Sequence, residues 1–170
     1  MAPDHPPAVA RLLRALALVE DGLLVALLAA LIAMAAAQIA LRNLLDTSLL
    51  WADPVVRVMV LWVGMIGAVV ATRFDKQISV DALSRFLPGR WKAAARVLTD
   101  LFTAVVSAAL AYHSVRLLLE DRAGGTRVLA ALPLWVCELV LPVAFAVIAL
   151  RYLAYAVAHG RDVVTGGAGG

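Results

Sequence analysis

WADPVVRVMVLWVGMIGAVVATRFDKQISVD, residues 51–81, is the stretch whose reading decides the fold. Trp51, Asp53, Pro54 and Arg57 lead into a run that carries no charge from Val58 to Thr72. Counted back to Pro54, that run is 19 residues long. As a helix it spans roughly 28 Å, the thickness of the hydrocarbon core of a bilayer. Arg73, Asp75 and Lys76 close it, and the alternating Ile78-Ser79-Val80-Asp81 follows. The stretch therefore predicts a membrane helix with two patterned polar rims.

The rest of the composition agrees. Hydrophobic residues make up 64% of the 170 and charged residues 16%, and the mean hydropathy is +0.92. Soluble domains hold about 45–50% apolar residues, and so few charges do not coat a soluble surface of this size. The length suits one membrane domain of a few helices and leaves no room for a separate soluble domain. The net charge of +3 and pI near 9.5 do not indicate nucleic acid, because no basic stripe is interleaved with aromatics. In a membrane protein an excess of Lys and Arg reports orientation and contact with anionic lipid. The single cysteine, Cys137, excludes an internal disulfide and any CxxC metal or redox site.

Working outward, four continuous apolar runs reach the roughly 20 residues that a spanning helix needs, at about 17–41, 54–74, 97–119 and 135–157. Backbone groups in lipid must be satisfied within the chain, and the runs do not alternate as barrel strands do. The expected fold is all-α, a polytopic membrane protein with a four-helix domain over residues 16–158. A cytoplasmic tail of residues 1–15 precedes it, and a flexible tail of residues 159–170 follows. Arg11 and Arg14 precede the first run as in a signal peptide. The run is too long for a signal h-region, and Glu20-Asp21 interrupts its start, so it reads as a retained anchor. Ten Lys and Arg fall on the side of Arg11, Arg73, Lys76, Arg85 and Arg151, and four on the side of Arg42 and Arg122. Positive charge stays inside, which places both termini in the cytoplasm. Between the second and third runs, Ile78, Ala82, Leu83, Phe86 and Leu87 share a helix face opposite Ser79, Asp81, Ser84 and Arg85. That pattern predicts a short in-plane helix over 78–87, ended by Pro88-Gly89, with Trp91 in the headgroup zone. The plainer alternative is a solvated loop with a few apolar anchors.

The polar residues in and beside the spans are the functional candidates. Asp53 before Pro54 suits an N-cap followed by proline at the first helical position, and Arg57 one turn later shares its face. The plain reading is a capped helix start with Arg57 snorkelling outward. A sharper one starts from depth, because Arg57 and Glu138 each lie about four residues inside the outer edge of a span, roughly 6 Å. Since an unpaired charge there costs several kcal/mol, Arg57 is expected to pair with Glu138 or with an acidic residue of another subunit. Gly64, Ala68 and Thr72, with Gly67 beside them, form a small-residue face that permits close helix packing. His113 has no second histidine at matching depth, since His5 and His159 lie elsewhere, which leaves no bis-His haem. No Ser-His-Asp set, carboxylate pair or zinc spacing indicates catalysis. The charges lie near span ends and the centres of the first two spans are dry, so transport by this chain alone is a weak reading. An accessory or scaffold subunit fits better.

On these residues the chain resembles the small membrane subunit of the tripartite ATP-independent periplasmic (TRAP) transporters, the DctQ-like proteins. The resemblance is carried by Trp51, Asp53, Arg57, Trp62, Gly64, Gly67-Ala68, Arg73, Ile78, Val80 and Asp81. Asp53 stands where glutamate is usual, and Gln77 where histidine is usual. Leu132-Pro133-Leu134-Trp135 and Pro142-Val143 match more loosely, and the layout fits over about residues 10–158. The resemblance implies a multi-pass protein of the bacterial inner membrane. It would serve a secondary transporter in which a periplasmic binding protein captures an organic anion, typically a carboxylate. A large membrane subunit then moves that anion with a sodium gradient. Sodium coupling would belong to the large partner and no cofactor to this chain, which would brace that partner and contribute to docking of the binding protein. Trp51, Asp53, Arg57, Trp62, Gly64, Ala68, Arg73, Asp81, Trp91 and Glu138 are then interaction or structural residues. Two competing readings are a self-sufficient four-helix transporter of the multidrug-exporter kind and a membrane anchor of a redox complex. The absence of a central membrane carboxylate in the spans counts against the first, and the histidine count against the second.

Overall fold

The computed structural model describes residues 7–45, 51–73, 89–125, 127 and 132–165. The in-plane helix expected over 78–87, and Asp81 within it, lie outside them. Among the described residues five helices follow in order: α1 (Pro7–Leu45), α2 (Ala52–Ala71), α3 (Gly89–Gly124), α4 (Leu134–Glu138) and α5 (Val140–Thr165). Among the described residues there is no strand, only an isolated bridge between Arg127 and Pro133. Four segments are long and apolar enough to cross a membrane: Arg14–Leu44, Ala52–Ala71, Ala94–Gly124 and Leu134–Gly160.

Local sequence explains where these helices begin and end. α1 starts on Pro7, whose fixed φ and missing N–H suit the first helical position. It then runs for 39 residues of mostly Ala and Leu, strong helix formers, and so begins ten residues before the expected span. At the other end of α3, Gly125 takes φ +66°, and its N–H donates to the Asp121 carbonyl at 3.1 Å. Only glycine adopts that left-handed stop without strain. The hydroxyls of α3 are satisfied by their own helix. Thr99 donates to the Ala95 carbonyl, Thr103 to that of Thr99, and Ser114 to that of Leu110, which removes their cost in an apolar setting.

The last span is interrupted. Pro142 has no N–H to offer the Glu138 carbonyl, and the next bond, Val143 N–H to the Leu139 carbonyl, is long at 3.4 Å. The helix therefore divides at Leu139 into α4 and α5. Trp91 lies in the first turns of α3, which already begins at Gly89.

The extensive packing runs in a row, α1 on α2, α2 on α5, and α5 on α3. α3 and α5 are antiparallel and hold one register. His159 meets Asp100 at 2.8 Å and Glu138 lies beside Asp121, contacts twenty-one residues apart on either chain segment. That is about 31 Å of matched helix, a full membrane thickness. Small side chains make it possible, with Ala104 and Ser107 of α3 and Ala144 and Ala156 of α5 all buried. The apolar centre of the row is Val69 of α2 with Ala144 and Ile148 of α5, flanked by Met65, Phe145, Val147 and Tyr152.

Candidate functional site: the two rims of the second helix

At the outer end, the helix starts one residue before the expected cap. Trp51 occupies the N-cap position without a side-chain hydrogen bond, and Asp53 sits inside the first turn. Asp53 therefore complements the positive end of the helix dipole rather than capping it. Arg57 is exposed, and no ion pair joins it to another described residue. The expected pairing with Glu138 does not form within the chain, and depth is the reason. The Trp62 indole N–H donates to the Cys137 carbonyl at 2.8 Å, so Glu138 lies level with the middle of α2. Arg57 is five residues further out, about 7.5 Å along the axis. Counting from span ends failed because α2 projects beyond the start of α4.

Glu138 instead faces the Asp121 carboxyl of α3, and its Oε2 is enclosed without a hydrogen-bond donor. Beside it the Arg122 guanidinium lies 5.6 Å from the Trp135 ring centroid, a cation–π contact. Arg116 and Glu120 form an exposed pair at 4.0 Å, worth a few tenths of a kcal/mol at most. His113 is exposed and stacks edge-on with Tyr112. Among the described residues no three of His, Cys, Asp and Glu come together as a metal site.

The middle of α2 has two different small-residue faces. Gly67 is the point of approach to α1, with Leu24 Cδ1 at 3.9 Å from where a Cβ would stand, whereas Gly64 has nothing within 4 Å. Ala68 is exposed as well. Asp53, Arg57, Val60, Gly64, Ala68 and Ala71 are all exposed, and their spacing of three and four residues makes one stripe along the helix. The Gly64–Ala68 face predicted for close packing thus lies open on the outside of the row.

The inner rim is a four-charge node. Arg73 binds both carboxylate oxygens of Asp21, the Ala17 carbonyl at 3.2 Å, and approaches Glu20 at 3.3 Å. The hydrogen bonds to Asp21 raise its pKa above an already high ordinary value. Desolvation opposes this, and the fields of Asp21 and Glu20 reinforce it. Arg151 of α5 reaches across to Glu20 at 2.5 Å, to the Val69 carbonyl at 2.6 Å and to Thr72 Oγ1 at 3.1 Å. Thr72 Oγ1 donates in turn to the Val69 carbonyl at 2.7 Å, and the Tyr155 hydroxyl donates to the Thr72 carbonyl at 3.2 Å. These are the carbonyls that the end of α2 leaves without helical partners, because its last turn tightens, with Arg73 N–H going to Val70. Two residues of α5 therefore cap α2.

The sequence marked Arg73 as a rim residue and an interaction or structural candidate without a partner, and Arg151 only as a count on the positive side. Glu20, Asp21, Arg151 and Tyr155 were not candidates, and Thr72 was placed only on the small-residue face. The signal that could have found them is that acids and bases at the ends of apolar helices need partners. Their placement on the same side of the membrane by charge bias pointed to one another.

Four apolar helices in a row, clamped by polar groups toward either end, define a small multi-pass membrane protein. The sequence model of the family described as tripartite ATP-independent periplasmic transporters, DctQ component, matches residues 31–161. The chain belongs to that family, and so is the small membrane component of a TRAP transporter. No curated protein matches it in sequence comparison.

Proposed function

We propose that this chain is a static brace in the inner membrane for the large subunit of a TRAP importer. That large subunit would carry an organic anion, of the carboxylate kind, with sodium. One observation carries the reading: α2 and the last span, α4 with α5, are tied at both ends and in the middle. Trp62 bonds Cys137 near the start of the last span, Arg151 and Tyr155 hold the inner end of α2, and Val69, Ala144 and Ile148 fill the space between. Helices held in this way suit support better than alternating movement.

The open stripe bearing Gly64 and Ala68 is the face offered to the large subunit, and small residues there let a partner helix come close. Arg57, exposed at its outer end, would meet an acidic residue of that partner, and the outer rim would contribute to docking of the binding protein. Sodium and substrate belong to the partners, and this chain performs no catalysis. Purification from native membrane is expected to recover a large multi-span subunit in fixed stoichiometry. Gly64→Leu should abolish that recovery while leaving the isolated chain as stable as before, since no described residue comes within 4 Å of a Cβ placed at Gly64. Ion-coupled transport by this chain reconstituted alone would sink the reading.

A further inference from the structure

α1 is the least enclosed helix of the row. No residue in its apolar segment is buried, and its extensive packing is against α2 alone. Lipid tails are as apolar as its leucines, so burial gives it little reason to stay beside α2. Among the described residues, the polar contacts that join α1 to other helices come from Ala17, Glu20 and Asp21, all near its inner end. The partners are Arg73, just past the end of α2, and Arg151 of α5.

We propose that Glu20 and Asp21 are the latch that holds α1 to the bundle. The C-terminal end of α2 carries the negative pole of its dipole, and Arg73 and Arg151 gather there, Arg151 also taking the unpaired Val69 carbonyl. The two acids of α1 dock on that cationic end. A charge at the end of an apolar helix is costly unless paired, so the same contacts set the depth and rotation of α1. The packing further along α1 follows from them, beginning one turn on with the approach of Leu24 to Gly67. The latch is separable from the rest, because Arg151 keeps the Val69 carbonyl and Thr72 Oγ1 when the acids are neutralised, and both cations keep the negative pole of α2.

The test uses the full chain in membranes, with Cys137→Ala and the pair Leu24→Cys and Gly67→Cys joined by a short thiol-to-thiol cross-linker. In this background the cross-link should form readily. Adding Glu20→Gln and Asp21→Asn together should lower its yield several-fold, while helical circular dichroism and a single symmetrical elution peak are retained. Asp21→Lys, which sets a second cation against Arg73, should lower the yield further than Asp21→Asn alone. An undiminished cross-link in the Glu20→Gln, Asp21→Asn variant overturns the proposal. Loss of helicity or aggregation of that variant overturns it too, because the acids would then be holding the whole bundle and not α1.

Discussion

Trp62 shows how one side chain can serve a whole helix pair. Its indole is half-buried, and its N–H supplies the Cys137 carbonyl in the turn just before Pro142 interrupts the last span. Trp62→Phe keeps an aromatic ring, smaller than the indole, and removes the donor. In a membrane such bonds average about 0.6 kcal/mol and reach roughly 1.7. The expected result is a fall of a few degrees in the thermal midpoint of the purified chain in detergent, with helicity unchanged. An unaltered midpoint would mean that the bond does not help hold α2 to the last span. Arg57 teaches the converse. Its residue type and position were plain in the sequence, but its partner depended on how far α2 stands out beyond its neighbour.

At the scale of elements, α3 and α5 form the most closely matched pair, and the Asp100–His159 contact anchors its inner end. The Asp100 side chain is only 4% exposed against 20% for His159, which makes the two partners unequal. Removing the histidine strands an acid away from water, whereas removing the acid leaves a ring that water can reach. His159→Ala is therefore expected to destabilise the chain more than Asp100→Asn does, by a margin on the order of 1–3 kcal/mol. Thermal unfolding of both variants beside the parent checks this, and the reverse order would show that the pair is held mainly by other contacts of His159. The element boundaries illustrate what local sequence can do. Pro7 and Gly125 act through their own backbone, so their roles need no tertiary partner. The division at Leu139 likewise follows from Pro142 alone.

For the whole molecule, the excess of Lys and Arg on one side predicts that both termini lie on the inner side. In a Cys137→Ala background, Leu132→Cys should react with a membrane-impermeant thiol reagent in intact cells. Arg11→Cys should react only after lysis, and labelling of both from outside would reverse the orientation. By itself the sequence determined the class, the number of spans and the family, because each rests on properties that add along the chain: run length, composition and motif spacing. It did not determine the order of helices in the row, the relative depth of α2 and the last span, or which charges meet. Those depend on how side-chain volumes let one helix slide against another, as Ala104 and Ala144 do for α3 and α5. Glu20 and Arg151 are 131 residues apart in the chain, and no local pattern links them. The fold unites them because an acid and a base at the same level of a low-dielectric medium are each far costlier alone than together.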